Sequence, residues 1–494
     1  MSLVAHRFGH FEFLIFVLIH PPASCSHWLR VEDLHFKLSP FLFVPSREAT
    51  QMPLLLLWLL SFAVSAADGA GIFNVLDHGA VGDSVTNDTA AIRGTLAAAA
   101  AAGGGVVLLP APHTFLSGSL HMQSHTVFRI EAGATLLGST IFTDYPHEWI
   151  PGGLGDDTWN RQSLIAGAQC KGTAANGMGC SSWTPLHNVT LDGGGVIDGQ
   201  GHAWWWAADS GSPAAEERPD MIQPALVHGL TIRDLTFRAS PCWSIHPLLC
   251  TDVLAERIVI ESGQFDSDLE YMGHNVDGFD PDSCNGVVLK DSVIHAGDDC
   301  VAIYSVRGPT SNILIQNVTC HTPLSITHGA YGTSNVLMEN CTVHGDWGDD
   351  HTYRPRWWKT ALRLKSDRHT NGTLQNISYH NIRGIGVDLL FDIQMWYPCQ
   401  NQSGMANYHQ CRSFYPVEAG VRPHIRNVSL VNVTGDDATW RTGWLNCLPE
   451  SPCKDLSFEG VTAPNAHGWV CENVHGTSKG GNLPVADECF SSTR

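Results

Sequence analysis

A short unit recurs along most of the chain and limits what it can fold into. "GLTIRDLTF" begins at Gly229, "DVLAERIVI" at Asp252, "GVVLKDSVI" at Gly286, "NILIQNVTC" at Asn312 and "NVLMENCTV" at Asn335, with further copies from Asn188, Asn376, Asn427 and Asp455. Each is a short alternating strand, a small polar step and a second strand. The tightest intervals are 23 residues (Gly229 to Asp252), 26 (Gly286 to Asn312) and 23 (Asn312 to Asn335); longer ones read as the same unit with a loop inserted. A unit this short cannot bury its own apolar face, so successive units must stack. Helix-length segments are missing between most of them, which excludes a βαβ array. The expected fold is all-β: a right-handed, single-stranded parallel β-helix. The alanine-rich stretch after Asn87 and Asp88 predicts a helix that stops at Gly103-Gly104-Gly105 and plugs the open N-terminal end. The tail beyond about Gly460, with Cys471 and Cys489, is expected to close the other end.

Composition agrees with this and narrows the setting. Only 15% of the 494 residues are charged and 48 are glycine, which suits β-structure with many tight turns better than a helical bundle. A formal charge of -20 argues against nucleic acid as a partner and leaves no basic face for a membrane. The segment "MPLLLLWLLSFAVSAADG", Met52 to Gly69, has an apolar core of signal-peptide length followed by Val64-Ser65-Ala66 at the cleavage positions. Residues 1–51 are therefore expected to be a mis-called extension, residues 52–66 a signal peptide and residues 67–494 the β-helix domain; a genuine long N-terminal region is the competing reading. The product is expected to be secreted, free of the membrane once the leader is gone, and a monomer. Of 15 cysteines only Cys25 precedes residue 67, which leaves an even fourteen, as in a disulfide-bonded secreted chain. The close pairs Cys399/Cys411, Cys447/Cys453 and Cys471/Cys489 are spaced to staple short loops. Nine Asn-x-Ser/Thr sites, Asn188, Asn317, Asn340 and Asn376 among them, fit a secretory route and glycosylation, although asparagine is also a turn residue.

"HAGDDCVAIYS", His295 to Ser305, sets two aspartates against an apolar run. An isolated pair of this kind is most often a solvated turn. Coil spacing argues otherwise. Asp298 and Asp299 lie 14 and 13 residues before Asn312, His321 lies 14 before Asn335, Arg363 lies 13 before Asn376, and Asp277 lies 21 before Asp298. With neighbouring coils about 4.8 Å apart, one face should carry Asp277, then Asp298 and Asp299, then His321, then Arg363. Lys365 should point to the same side of its strand as Arg363. Carboxylates this close hold a proton between them, because like charges raise one pKa. The protonated member can donate to a glycosidic oxygen while an ionised one activates water. Arginine and lysine beside them suit a carboxylate on the substrate. No spacing looks like a metal site, and no cofactor is expected.

Flanking sequence adds a resemblance. "NVLDHGAVGDSVTNDTAAI", "NVTLDGGGVIDGQGHAWW", "SPCWSIHP", "NVDGFDPDSC", "AGDDC" and "LRLKSDRHTNG" occur in that order between about Phe73 and the C-terminal cysteines. Together they resemble the polygalacturonases and their relatives in glycoside hydrolase family 28, with the Asn-Thr-Asp-Gly, Gly-Asp-Asp and Arg-Ile-Lys patterns of that family. The resemblance implies inverting hydrolysis of α-1,4-galacturonosidic bonds in pectin or polygalacturonate. It implies Asp298 as general acid, Asp277 and Asp299 as activators of water, and Arg363 and Lys365 as binders of the substrate carboxylate. Tyr397 is similar to a tyrosine that shapes the site. "SPCWSIHP" and "DGFDPDSC" resemble the exo-acting and plant-type branch. Two departures stand out. Val276 replaces the family's threonine, and the Gly-His-Gly segment is missing. His321 in "HTPLSI" is taken as its counterpart, with His328 in "THGAYG" as the rival. Trp357-Trp358 are candidates for stacking on sugars, whereas Trp204-Trp205-Trp206 read as anchors. Other readings are a sister hydrolase of rhamnogalacturonan or xylogalacturonan, and a pectin-binding β-helix protein that has lost catalysis. A calcium-dependent lyase is disfavoured, because the carboxylates sit where a hydrolase needs them.

Overall fold

The computed structural model describes residues 71–151, 158–175, 179–209, 218–263, 275–327, 329–345, 359–367, 370–397 and 422–490, with two short strands near the start. The chain divides into Met1–Ala66 and Ala67–Arg494. In the first unit Arg7–Phe8 pairs antiparallel with Phe11–Glu12. The leader-like segment from Met52, together with His328, Trp357, Trp358, Cys399 and Cys411, lies outside the described residues.

The second unit is a parallel β-helix, as the repeat predicts. Its main ladder runs from coil to coil as Leu230, Val253, Val287, Ile313, Val336, Ile377, Val428 and Leu456, every step parallel. Strand Thr310–Cys320 shows why these residues make this structure: its two halves each alternate between buried and open positions, with the polar step Gln316-Asn317 between them. The inward side chains stack into one continuous apolar column. Each fully buried Val, Leu or Ile there contributes roughly 1.5–3 kcal/mol, and no coil could collect that alone. The Val227–Arg233, Thr251–Glu256 and Thr333–Glu339 strands repeat the pattern.

The recurrent asparagine at the start of the unit has a backbone reason. Asn312, Asn335, Asn376 and Asn427 have φ of 61°, 58°, 56° and 52°, the left-handed region that asparagine tolerates better than most residues. Their amides form a ladder: Asn335 donates to Asn312 at 3.1 Å, Asn376 to Asn335 at 3.0 Å and Asn427 to Asn376 at 2.7 Å. Asn188, Asn317 and Asn340 also have positive φ. The glycosylation candidates Asn188, Asn317, Asn340, Asn376 and Asn427 therefore have a structural role of their own.

Helix Thr89–Ala101 lies at the N-terminal end and packs Ile92, Leu96 and Ala99 into the core of the first coils. Of the two capping candidates Asn87 does the work, its Oδ1 accepting from the Thr89 N–H at 3.1 Å. Asp88 instead accepts from the N–H groups of Val81 and Gly82 at 2.7 and 3.0 Å. At the other end Trp469 stacks on Phe458, 4.8 Å between centroids, and the short helix Asp487–Phe490 brings Phe490 against the same ring at 5.3 Å.

Disulfides join Cys170–Cys180, Cys300–Cys320, Cys447–Cys453 and Cys471–Cys489. The last two follow the predicted spacing. The expectation of full pairing is corrected: Cys242, Cys250, Cys284 and Cys341 are free. The last three are buried and act as small apolar residues. No helix among the described residues is long and apolar enough to cross a membrane.

Candidate active site

A second parallel ladder carries the candidate site. It passes through Ile222, Ile245, Phe279, Val301, Leu324, Leu362, Phe391, Gly443 and Trp469. Asp277 and Asp299 each stand two residues before their rung, at Phe279 and Val301. Neighbouring backbone bonds hold them there: Ser244 N–H to the Asp277 carbonyl at 2.9 Å, and Gly278 N–H to the Asp299 carbonyl at 2.9 Å. The Cys300–Cys320 disulfide ties the Asp-Asp turn to the next coil. Oxygens of Asp277, Asp298 and Asp299 lie within 4.8 Å of one another; Asp277 and Asp299 are buried, and Asp298 is half-buried.

The three carboxyls are not equivalent. Burial pushes the Asp277 carboxyl well above its ordinary value, and the charges of Asp298 and Asp299 add to this. Burial also works against ionisation of Asp299. There the charges of Lys365 and Arg363 outweigh it and hold the group below the usual carboxylate range. Arg363 Nη1 donates to Asp299 Oδ1 at 3.2 Å and Lys365 Nζ to Oδ2 at 2.5 Å, all three side chains being buried. The arrangement can keep one carboxylate ionised beside others that hold a proton, which is what paired acid and base work requires.

The cationic pair does not sit in the row that coil counting predicts. Arg363 and Lys365 stand one and three residues after Leu362, in register with Ser325 and Thr327. They reach Asp299 back across the intervening coil, over Ser325 and Ala302. Asp277, Asp298, Asp299, Arg363 and Lys365 are all brought together, but along a diagonal. Thr322 stands two residues before Leu324, the same offset in sequence as Asp277 and Asp299 from their rungs, and its Oγ1 is buried with no hydrogen-bond partner. His321 lies one residue earlier and stacks between His295 and His344, at centroid distances of 4.5 and 4.9 Å. Tyr397 ends strand Leu389–Tyr397 with Asp367 as register partner.

A family model described as "Glycosyl hydrolases family 28" matches residues 111–482. The chain belongs to glycoside hydrolase family 28. It is 26% identical over 428 residues to a probable polygalacturonase of Vitis vinifera, covering 82% of this chain and 78% of that one. It is 25% identical to a polygalacturonase of Cryptomeria japonica, covering 87% and 75%, and 25% identical to an exopolygalacturonase of Oenothera organensis, covering 63% and 80%. Among solved structures, a polygalacturonase of Erwinia carotovora aligns with a TM-score of 0.60 at 20% identity, covering 85% and 99%, and an exopolygalacturonase of Thermotoga maritima with 0.61 at 20%, covering 83% and 90%. At that identity the structural likeness is one of fold.

Several side chains around the family 28 carboxylates escaped the sequence reading. Asp280 is buried with neither oxygen hydrogen-bonded, and burial followed by the charge of Asp277 drives its carboxyl far up. His246 is buried; its Nδ1 meets Asp220 at 2.8 Å and Trp243 lies edge-on to its ring at 4.6 Å. Trp243 in turn stacks on Tyr304 at 5.1 Å. "SPCWSIHP" carried both aromatic residues, yet nothing in its spacing said that the segment turns toward the aspartates. Asp392, in register with Arg363, also went unremarked. Of the three tryptophan anchors, Trp204 and Trp205 are buried in helix Gly201–Asp209 as expected, whereas Trp206 is exposed and anchors nothing. A cavity of about 660 Å³, lined by Asp198, Gln200, His202, Arg238, Glu261 and His295 among others, borders the carboxylates without containing them.

Proposed function

We propose that this family 28 hydrolase cleaves α-1,4-galacturonosidic bonds in pectic polysaccharide and acts from the chain end. One observation carries the reading: a buried carboxylate, Asp299, paired with Arg363 and Lys365 and within 4.8 Å of carboxyl oxygens of Asp277 and Asp298. In this mechanism Asp298, the half-buried member, presents a proton to the glycosidic oxygen. Asp299 and Asp277 orient and deprotonate the water. Arg363 and Lys365 set a guanidinium and an ammonium beside the carboxyl cluster, donors that suit a uronate carboxylate. His321, stacked between His295 and His344, is assigned no step. Inversion is the family's expectation and not a reading of distance. The closest oxygens, within 4.8 Å, are nearer than the roughly 6.5–9.5 Å that an inverting pair of carboxyls usually keeps. Support for exo action comes from the Oenothera organensis relative and from "SPCWSIHP". The four disulfides support an oxidising, secretory destination.

The test is digestion of a galacturonate pentamer in calcium-free heavy-oxygen water, with products followed by mass spectrometry and the anomer by NMR. Early monomer with one heavy oxygen per cut and an inverted anomer is the expected result. Internal cuts would replace exo by endo action, and unsaturated products would mean a lyase. Asp298→Asn should lower kcat by about 10²–10⁴-fold, the usual worth of a positioned general acid. The second reading, binding without turnover, is favoured by the missing Gly-His-Gly segment alone. It predicts that the pentamer binds intact and that Asp298→Asn changes nothing.

A further inference from the structure

Asp392 lies beside the cationic pair and has no part in the chemistry assigned above. It stands on strand Leu389–Tyr397 as the register partner of Arg363, one coil further on. Register partners in a parallel ladder point to the same face about 4.8 Å apart, so its carboxyl and the Arg363 guanidinium share that face. Asp392 is 1% exposed. Gln394 Nε2 donates to its Oδ2 at 2.6 Å, while Oδ1 is buried with no hydrogen-bond partner. An ionised carboxyl in that state is costly and a protonated one is not. Burial drives it up to about 7, against the opposing pull of the Arg363 charge, the Gln394 bond and the Lys365 charge.

Among the described side chains, the charged groups facing Asp392 from strand Thr360–Asp367 are Arg363 and Lys365. On strand Arg441–Asn446 its register partner is Trp444; Arg441, the one charged residue there, is opposite Leu389. The proton on Asp392 therefore sets one unit of the local charge. Its loss adds a negative charge on the face that Arg363 shares, and so weakens the hold of Arg363 and Lys365 on an anion.

We propose that Asp392 is a positioning residue that acts through Arg363 and Lys365, so that the pair binds a substrate carboxylate well only while Asp392 holds a proton. The proposal rests on the function proposed above for that pair.

Binding of galacturonate trimer by calorimetry, in an Asp298→Asn background that prevents turnover, isolates this effect. Between about pH 6 and about pH 8.5 the Kd of that protein should rise about tenfold or more, as one buried charge near the ligand is compensated. With Asp392→Asn added, the rise should shrink to what the other groups cause. Equal pH dependence in the two proteins would overturn the proposal and leave the functional reading intact. No binding by either at any pH would overturn the functional reading and the proposal with it. An infrared difference spectrum of wild type minus Asp392→Asn gives a second readout that needs no ligand. A protonated-carboxyl band at pH 6 that fades by pH 8.5 supports the proposal, and its absence at pH 6 overturns it. Gln394→Leu is the third arm, usable even if Asp392→Asn fails to fold. Removing the donor to the ionised form should move the loss of affinity to higher pH, and an unmoved midpoint would count against the role.

Discussion

Asp277 and Asp299 share one cluster, yet their surroundings drive them in opposite directions. Burial and the neighbouring carboxylates raise Asp277, and Lys365 with Arg363 lowers Asp299 against burial. The rate should therefore be bell-shaped in pH. It rises as Asp299 loses its proton, below the ordinary aspartate value of about 3.9, and falls as the cluster around buried Asp277 loses its proton, above that value. The falling limb belongs to the cluster and not to a single residue. A kcat profile still climbing through neutrality would contradict this. Lys365→Met should move the rising limb upward, since the strongest partner of Asp299 is gone. Residue identity was largely legible here: "AGDDC" and "LRLK" named the carboxylates and the cations. The histidine was less so: counting coils back from the next strand start named His321, and a turn of unknown shape leaves such a count open to a shift of a single residue. Asp280 and Asp392 were illegible for another reason, since an aspartate beside apolar residues says nothing of whether its oxygens find partners.

At the scale of the element, the asparagine ladder is the clearest link from sequence to stability. Asn335 holds a left-handed φ of 58°, donates to Asn312 and accepts from Asn376. Asn335→Ala keeps the backbone but adds strain of about 1–2 kcal/mol for a left-handed residue and removes two exposed hydrogen bonds. A loss of about 2 kcal/mol is expected by denaturant titration. Asn335→Gly relieves the strain and should recover about half of it. A value within error of wild type for the alanine variant would remove the ladder from the list of stabilising features. The strands themselves were legible from alternation, because an inward side chain must be apolar and an outward one need not be. The antiparallel hairpin of His147–Ile150 with Thr158–Arg161 was not. It follows no repeat, and its Ile150 packs against Ala225 and Leu248.

The whole molecule carries a formal charge of -20 and is proposed to act on a polyanion held at Arg363 and Lys365. Long-range repulsion is screened by salt, whereas those buried groups are screened much less. kcat/KM on galacturonate oligomers is therefore expected to rise as ionic strength goes from about 0.01 M to about 0.15 M, the Debye length shrinking from about 30 Å to about 8 Å. A fall over that range would mean that attraction, not repulsion, dominates the approach. At this scale the repeat period alone was enough to establish a stacked parallel solenoid closed by a helix, because units that cannot bury an apolar face singly have one solution. It also put the three aspartates on adjacent coils. Which side chains then touch was decided in three dimensions. Arg363 and Lys365 reach Asp299 diagonally over Ser325 and Ala302, and Asp392 comes up beside Arg363 from the following coil. Register between coils depends on the shape of every turn and inserted loop, and interval lengths in a sequence record how many residues a turn contains but not where it sets the chain down.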